Sequence, residues 1–302
     1  MNKYAHGMVV AAQPEAVEAG ASVLRAGGNA VDAAIACALV AGVVDPQMCG
    51  IAGFGNLQVY LPGKGIHQCI DFHAKSPLAT RADQWEDIVI GETRDGFGFV
   101  LEGRVNDLGY QAIATPGSLK AYFEAQTAWG VKDWDEIVAP AIRWAETGFA
   151  VRPHVAGWWA EGAAMGRTDN VERLRYSATG QEIYFRADGS LKRVGDVVVN
   201  KDLASTLRLI ASEGADVFYK GRLAELIAED ISAHGGLMSD RDLNEYKTTH
   251  NDPIRSLYRG LDVATNHPPG GGTMVLEMLN MLECFDLQSM GHNSVEYVRT
   301  VT

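Results

Sequence analysis

Residues 30 to 43 limit most strongly what this chain can fold into. The segment is rich in Ala, Ile and Val, and it follows Asn29 directly. Asn29 is suited to cap a helix, because its side-chain oxygen can accept from exposed backbone N–H groups. The composition then predicts a helix buried on most sides. Such a helix needs a core around it. With 302 residues, 47% of them apolar, the chain can supply one large domain or two small ones. The longest apolar stretch, Ala33 to Val44, is too short to cross a bilayer.

The flanking sequence continues in alternating helix and strand. Residues 8–12 read as a short strand, and Pro14 opens a helix with Ala16, Ala19, Val23 and Leu24 that ends at Gly27-Gly28. After the central helix comes a turn, Gly50-Ile-Ala-Gly-Phe-Gly55. Strands at Asn56–Leu61 and His67–Phe72 follow, joined as a hairpin at Pro62-Gly-Lys-Gly65. Residues 80–112 read as a long loop with some helix. Thr115-Pro-Gly117 breaks the chain before a helical region from Ser118 to about Gly148. Residues 150–200 carry little signal, and the Trp158-Trp159 pair there reads as packing.

Helices are expected again at Asp202–Glu213 and Gly221–His234, the latter stopped by Gly235-Gly236. A short helix begins around Ser239–Asp242. Pro253 to Val263 reads as strand, and Thr273 to Leu287 as an apolar helix after Pro268-Pro-Gly-Gly-Gly272. No internal repeat, low-complexity linker or clean domain boundary is visible. The residues by themselves predict a mixed α/β protein.

Several functions are disfavoured at once. A net charge of −12 argues against nucleic acid and against anionic membrane surfaces, since both call for a basic face. Cys37, Cys49, Cys69 and Cys284 lie far apart with no CxxC pair, so neither a disulfide scaffold nor a zinc site is expected, and Cys37 reads as a small buried residue. The eight histidines include no HExxH and no pair placed for a metal, and the prediction is no metal and no cofactor. There is no G-x-S-x-G elbow and no P-loop. No secretory signal is seen at the start, which makes the cytoplasm the expected location.

Two glycine-rich stretches and one threonine pair invite chemical readings. Gly50–Gly55 lies between a helix and a strand, the reverse of the order that a dinucleotide-binding turn needs. It therefore reads as a turn where backbone approaches backbone. Pro268–Gly272 could cradle an anion or simply reverse the chain. Thr248-Thr-His250 contains threonines, but threonine attacks amides in such enzymes only where its own α-amine serves as base. Within a continuous chain these are turn and strand-entry residues.

Taken together, several segments resemble the γ-glutamyltranspeptidase family, in the same order and at similar separations. They are Gly7-Met-Val-Val-Ala11, Leu24-Arg-Ala-Gly-Gly-Asn-Ala-Val-Asp-Ala-Ala34, Asp45-Pro-Gln-Met-Cys-Gly-Ile-Ala-Gly-Phe-Gly55, Ile70-Asp-Phe72 and Ala114-Thr-Pro-Gly117. Phe218-Tyr-Lys-Gly221, Gly235-Gly-Leu237, Asp242-Leu-Asn-Glu-Tyr246, Tyr258-Arg-Gly260 and Pro268-Pro-Gly-Gly-Gly272 complete the series. The resemblance spans about residues 7–300. It implies an α/β (α+β) fold, the αββα sandwich of N-terminal nucleophile hydrolases, with residues 1–302 as its large-subunit part, incomplete at the C-terminus. It also implies a precursor that cuts itself in two. The new N-terminal threonine of the small subunit then attacks a small-molecule amide, and water or an amine takes the acyl group.

The resemblance assigns no catalytic residue to this chain. The expected partner is the small subunit from the same precursor, with a higher oligomer left open and a catalytically silent binding or scaffold protein as the alternative. Where the family carries an arginine and a glutamate after Asp-Phe, this chain has His73 and Ala74. The arginine's planar fork grips an α-carboxylate at two points, and histidine has no such fork. Lys75 follows two residues on and would share a strand face with His73. His73 and Lys75 are thus the candidate substrate-binding residues, and their identity opens the acyl group to classes other than γ-glutamyl.

Overall fold

The cap on the central helix forms as the sequence predicts. In a computed structural model describing residues 7–94, 96–163 and 167–302, Asn29 Oδ1 accepts from Val31 N at 2.9 Å and Asp32 N at 3.1 Å. The Asp32 carboxylate accepts in return from Asn29 N at 2.9 Å, which completes a capping box. The helix, Ala30–Val44, buries ten of its fifteen residues and so is covered on most sides. Before it, Pro14 opens Pro14–Arg25, and Gly27 at φ +93 turns the chain where a side chain would be strained.

These two helices are α1 and α2. In chain order they are followed by β1 (Asn56–Leu61), β2 (Ile66–Asp71), β3 (Val89–Glu92), β4 (Phe99–Leu101), α3 (Ser118–Trp129), α4 (Trp134–Thr147) and β5 (Phe149–Ala150). Next come α5 (Pro153–Trp159), α6 (Asn170–Arg175), α7 (Ala178–Tyr184), β6 (Val197–Val198), α8 (Lys201–Glu213), α9 (Asp216–Tyr219), α10 (Arg222–Ala233) and α11 (Asp240–Glu245). The chain continues with β7 (Thr249–Asn251), β8 (Ile254–Tyr258), β9 (Leu261–Thr265), α12 (Gly272–Glu283) and α13 (Val295–Val301).

Four expectations are corrected. Residues 8–12 are not a strand. Met8 and Val10 are 85% and 81% exposed, and no described strand pairs with this run. Apolar composition cannot make a strand without a ladder partner. The 80–112 loop contains the β3–β4 hairpin, whose strands are too short and exposed for alternation to reveal. The continuous strand at 253–263 is instead the β8–β9 hairpin, reversed at Arg259 and Gly260, which both take positive φ. The apolar helix expected to reach Leu287 stops at Glu283. Of the tryptophan pair, Trp159 is fully buried but Trp158 is 46% exposed.

The chain divides into two compact units. The first holds the residues up to Gly53 together with Ala74–Tyr246. Within it α1 packs on α2, α2 on α4, and α4 on α8. A second part of its core gathers Leu119, Ile210, Phe218, Tyr219, Leu243 and Tyr246. Tyr219 is 1% exposed, and its hydroxyl donates to Pro116 O at 3.1 Å while accepting from Lys120 N at 3.2 Å. Burial raises the phenol well above its ordinary pKa, so it stays a donor. Tyr219→Phe should cost about 1–2 kcal/mol. The check is the denaturant midpoint; an unchanged value would show that the two contacts contribute nothing net.

The second unit holds Phe54–His73 and Lys247–Thr302. Its three-stranded sheet runs β1-β2-β7, all antiparallel, with β2 in the middle. The β8–β9 hairpin carries α12 on one face.

Candidate functional site

The Gly50–Gly55 turn makes its contacts with backbone, as its helix-before-strand order predicts. In the first unit, Gly53 O accepts from Gly117 N at 2.9 Å and Ser118 N at 3.1 Å, and Ile51 O accepts from Leu119 N at 3.2 Å. The carbonyls of the turn thus satisfy N–H groups at the start of α3. Gly42 allows a close approach: a Cβ there would lie 2.9 Å from Gly50 Cα.

A buried polar chain holds the entry to this turn. Asp45, 6% exposed, accepts from Gln13 Nε2 at 2.8 Å and from Gln47 Nε2. Gln47 Oε1 in turn accepts from Trp159 Nε1 at 3.0 Å. Cys49 lies beside this carboxylate. Burial first, and then Asp45, push its thiol up to about 11, so it is protonated and no nucleophile at neutral pH.

His73 belongs to the second unit and sits just past the end of β2. Its backbone N donates to Asp71 Oδ1 at 2.9 Å, and its ring Nδ1 lies 2.7 Å from the same oxygen. The two side chains are 24% and 13% exposed. Since a carboxylate oxygen can only accept, Nδ1 is the donor in this contact. The Phe54 ring centroid is 5.9 Å from that of the imidazole. Asn56 on β1 pairs directly with Asp71 in the strand register, which puts both side chains on one face.

Lys75 belongs to the first unit. Its backbone forms an isolated bridge with Thr115, with N–O distances of 3.1 and 2.8 Å. Its Nζ lies 4.9 Å from the centre of the Tyr246 ring, a cation–π contact. Because β2 ends at Asp71, no regular strand runs through 73–75, and the alternation expected to place His73 and Lys75 on one face has no strand to act along. Sequence reasoning named His73 but not Asp71 or Asn56. The signal for Asp71 was its place two residues before His73; for Asn56 it was the hairpin register.

The other chemical readings resolve as follows. Thr249 opens β7, paired with Asp71, so the threonine pair enters a strand as expected. Thr248 Oγ1 and His250 Nε2 are 3.3 Å apart, but both threonines are mid-chain and lack a free α-amine. In Pro268–Gly272 the Gly270 N–H is used internally by His267 O at 3.0 Å, which closes a turn ahead of α12. Among the described residues no group of three His, Cys, Asp or Glu could hold a metal ion, and no helix is long and apolar enough to cross a membrane.

The family model for gamma-glutamyltranspeptidase matches residues 16–302. The chain belongs to the γ-glutamyltranspeptidase family. It is 35% identical over 291 residues to the glutathione hydrolase proenzyme of Bacillus subtilis, covering 96% of this chain and 46% of that protein. It is 36% identical over 295 residues to the acylase ACY 1 proenzyme of Pseudomonas sp. strain SE83, covering 97% of this chain and 50% of that protein. The crystal structure of Helicobacter pylori γ-glutamyltranspeptidase superposes with a TM-score of 0.86 at 29% identity, over 98% of this chain and 80% of that one. The chain spans about half the length of the curated relatives it matches. Its mixed helix-and-sheet fold is the large-subunit part of the N-terminal nucleophile hydrolase fold of this γ-glutamyltranspeptidase family.

Proposed function

We propose that this γ-glutamyltranspeptidase relative forms part of the substrate pocket of a two-subunit amide hydrolase or acyl transferase. The attacking threonine lies on a small-subunit segment outside these 302 residues. The acyl group is one that does not depend on a two-point grip on an α-carboxylate.

The observation that carries this reading is the Asp71–His73 pair. A guanidinium offers two parallel N–H groups and a full positive charge to a carboxylate. Here the corresponding residue is an imidazole with one nitrogen already committed to a carboxylate. His73 is the proposed acyl contact, and Lys75 is the second candidate for a substrate contact. That both glutathione hydrolases and acylases stand among the relatives is consistent with an acyl preference that varies within the family.

An exposed apolar stripe supports the partner. On α12, Met274, Met278 and Met281 are 60%, 51% and 56% exposed, and Phe285 just beyond is 47% exposed. Their spacing places them along one helix face. A contiguous apolar stripe of this kind is rarely left to water. The proposed small-subunit segment is its natural cover, since the matched relatives are about twice as long.

The test is an intact-mass spectrum, under denaturing conditions, of the product of the full native gene, with N-terminal sequencing of each chain. A second chain beginning with threonine is the expected result. A single chain that never divides would remove the nucleophile and favour a silent scaffold instead.

A further inference from the structure

A buried donor on β1 and a committed carboxylate on β2 point beyond His73 itself. Asn56 Nδ2 is buried and has no hydrogen-bond partner in this structure. A buried donor left in that state is costly, so its place needs a reason. Its cross-strand neighbour is Asp71. Oδ1 of Asp71 takes both contacts from His73, the backbone N at 2.9 Å and the ring Nδ1 at 2.7 Å. Oδ2 is the oxygen that remains for a second donor, and the amide on the same face of the sheet is a donor in need of an acceptor. On the other side of Asp71 the register places Thr249 of β7, so the carboxylate sits in the middle strand with a polar neighbour on each edge.

We infer that Asn56, Asp71 and His73 form a positioning relay that sets the tautomer of the histidine. Asp71 holds the proton on Nδ1, Asn56 lies opposite Asp71 in the strand register with an amide that makes no bond in this structure and can turn to Oδ2, and Nε2 is thereby the nitrogen offered to the acyl group. In the neutral ring, Nε2 then accepts a single hydrogen bond and so selects acyl groups that carry a donor, such as a hydroxyl, amine or amide N–H. This rests on the reading that His73 contacts substrate. Asp71 and Asn56 are positioning residues, since neither is assigned a contact with the acyl group.

The experiment uses the matured product of the full native gene, with its histidines labelled in 15N. Long-range 1H–15N correlation at alkaline pH reads which ring nitrogen of His73 is protonated, with His73→Ala assigning the signal. The wild type is expected to show the Nδ1–H pattern. Asp71→Ala should move it toward Nε2–H, and Asn56→Ala should move it part of the way. On the best amide substrate, Asp71→Ala should raise KM about tenfold with kcat within about twofold, because only orientation is lost. Asp71→Asn, which keeps an acceptor oxygen without the charge, should recover much of the Nδ1–H pattern, and it carries the test should the alanine variant fail to mature.

An Nδ1–H pattern that persists in Asp71→Ala overturns the relay. So does an unchanged KM in Asp71→Ala when His73→Ala raises KM. If His73→Ala leaves KM unchanged as well, the substrate contact of His73 is what fails, and the tautomer pattern still decides the relay separately.

Discussion

Asp32→Ala is expected to destabilise the first unit by about 3–5 kcal/mol, through the loss of a cap and the stranding of buried N–H groups. Asp32 is fully buried. One side of its carboxylate closes the capping box on Asn29 N. The other side reaches the connection between α3 and α4, where Val131 N lies 3.1 Å from both oxygens and Lys132 N lies 3.4 Å from Oδ1. Gly130 makes that approach workable, since a Cβ there would lie 2.5 Å from Asp32 Oδ1 and from Gln126 O.

The residue therefore joins two helical connections that are about 100 positions apart in sequence. An amide side chain at this position would keep one acceptor oxygen, so Asp32→Asn should lose about half as much as the alanine variant. Denaturant unfolding checks both. A midpoint within experimental error of wild type in Asp32→Ala would show that water replaces the carboxylate at no cost. The segment Leu24–Ala34, one of those that resemble the family, would on this account be held together by helix capping rather than by chemistry.

That distinction shows how far the sequence could be read. The helices α1, α8 and α10 have local signals in an apolar periodicity with a start or stop residue beside it, whereas α2 is marked by its cap and apolar composition and α11 by its cap. The β1–β2 hairpin has a glycine-rich turn between two alternating runs, and its strands lie within one residue of where those runs place them. What could not be read depends on partners distant in the chain. Residues 8–12 have strand composition, but composition is silent about whether a ladder partner is present. The two units could not be read because their boundary interrupts the chain between Gly53 and Phe54, between His73 and Ala74, and between Tyr246 and Lys247. The first of these breaks falls inside the Gly50–Gly55 turn, and none of the three falls at a low-complexity linker.

The candidate site follows the same rule. His73 stands out by its departure from a family motif, which is local information. Its partner Asp71 is also local, but the hydrogen bond appears only when the backbone bends past β2. Asn56 required the register of a sheet, and the carbonyls of the Gly50–Gly55 turn required the N-terminus of α3 some 65 residues later. Residue types thus marked the region of chemistry, whereas the geometry within it depends on pairings that only the fold sets.

Restoring an arginine offers the sharpest test of what the site excludes. His73→Arg is expected to raise kcat/KM on γ-glutamyl amides about tenfold, because a planar fork can meet the α-carboxylate at two points. The Asp-Phe pair that precedes the arginine in the family motif is already present as Asp71-Phe72, so the single substitution restores the setting of the fork. The variant should lose ground on the acyl amide that is proposed as the preferred substrate, since the single acceptor at Nε2 is gone. Steady-state kinetics on a matched pair of γ-glutamyl and simple acyl amides of one leaving group makes the comparison, with intact mass confirming that the variant has matured. A His73→Arg variant that matures, still cleaves the acyl amide as well as wild type and gains nothing on the γ-glutamyl substrate would place residue 73 outside the acyl pocket.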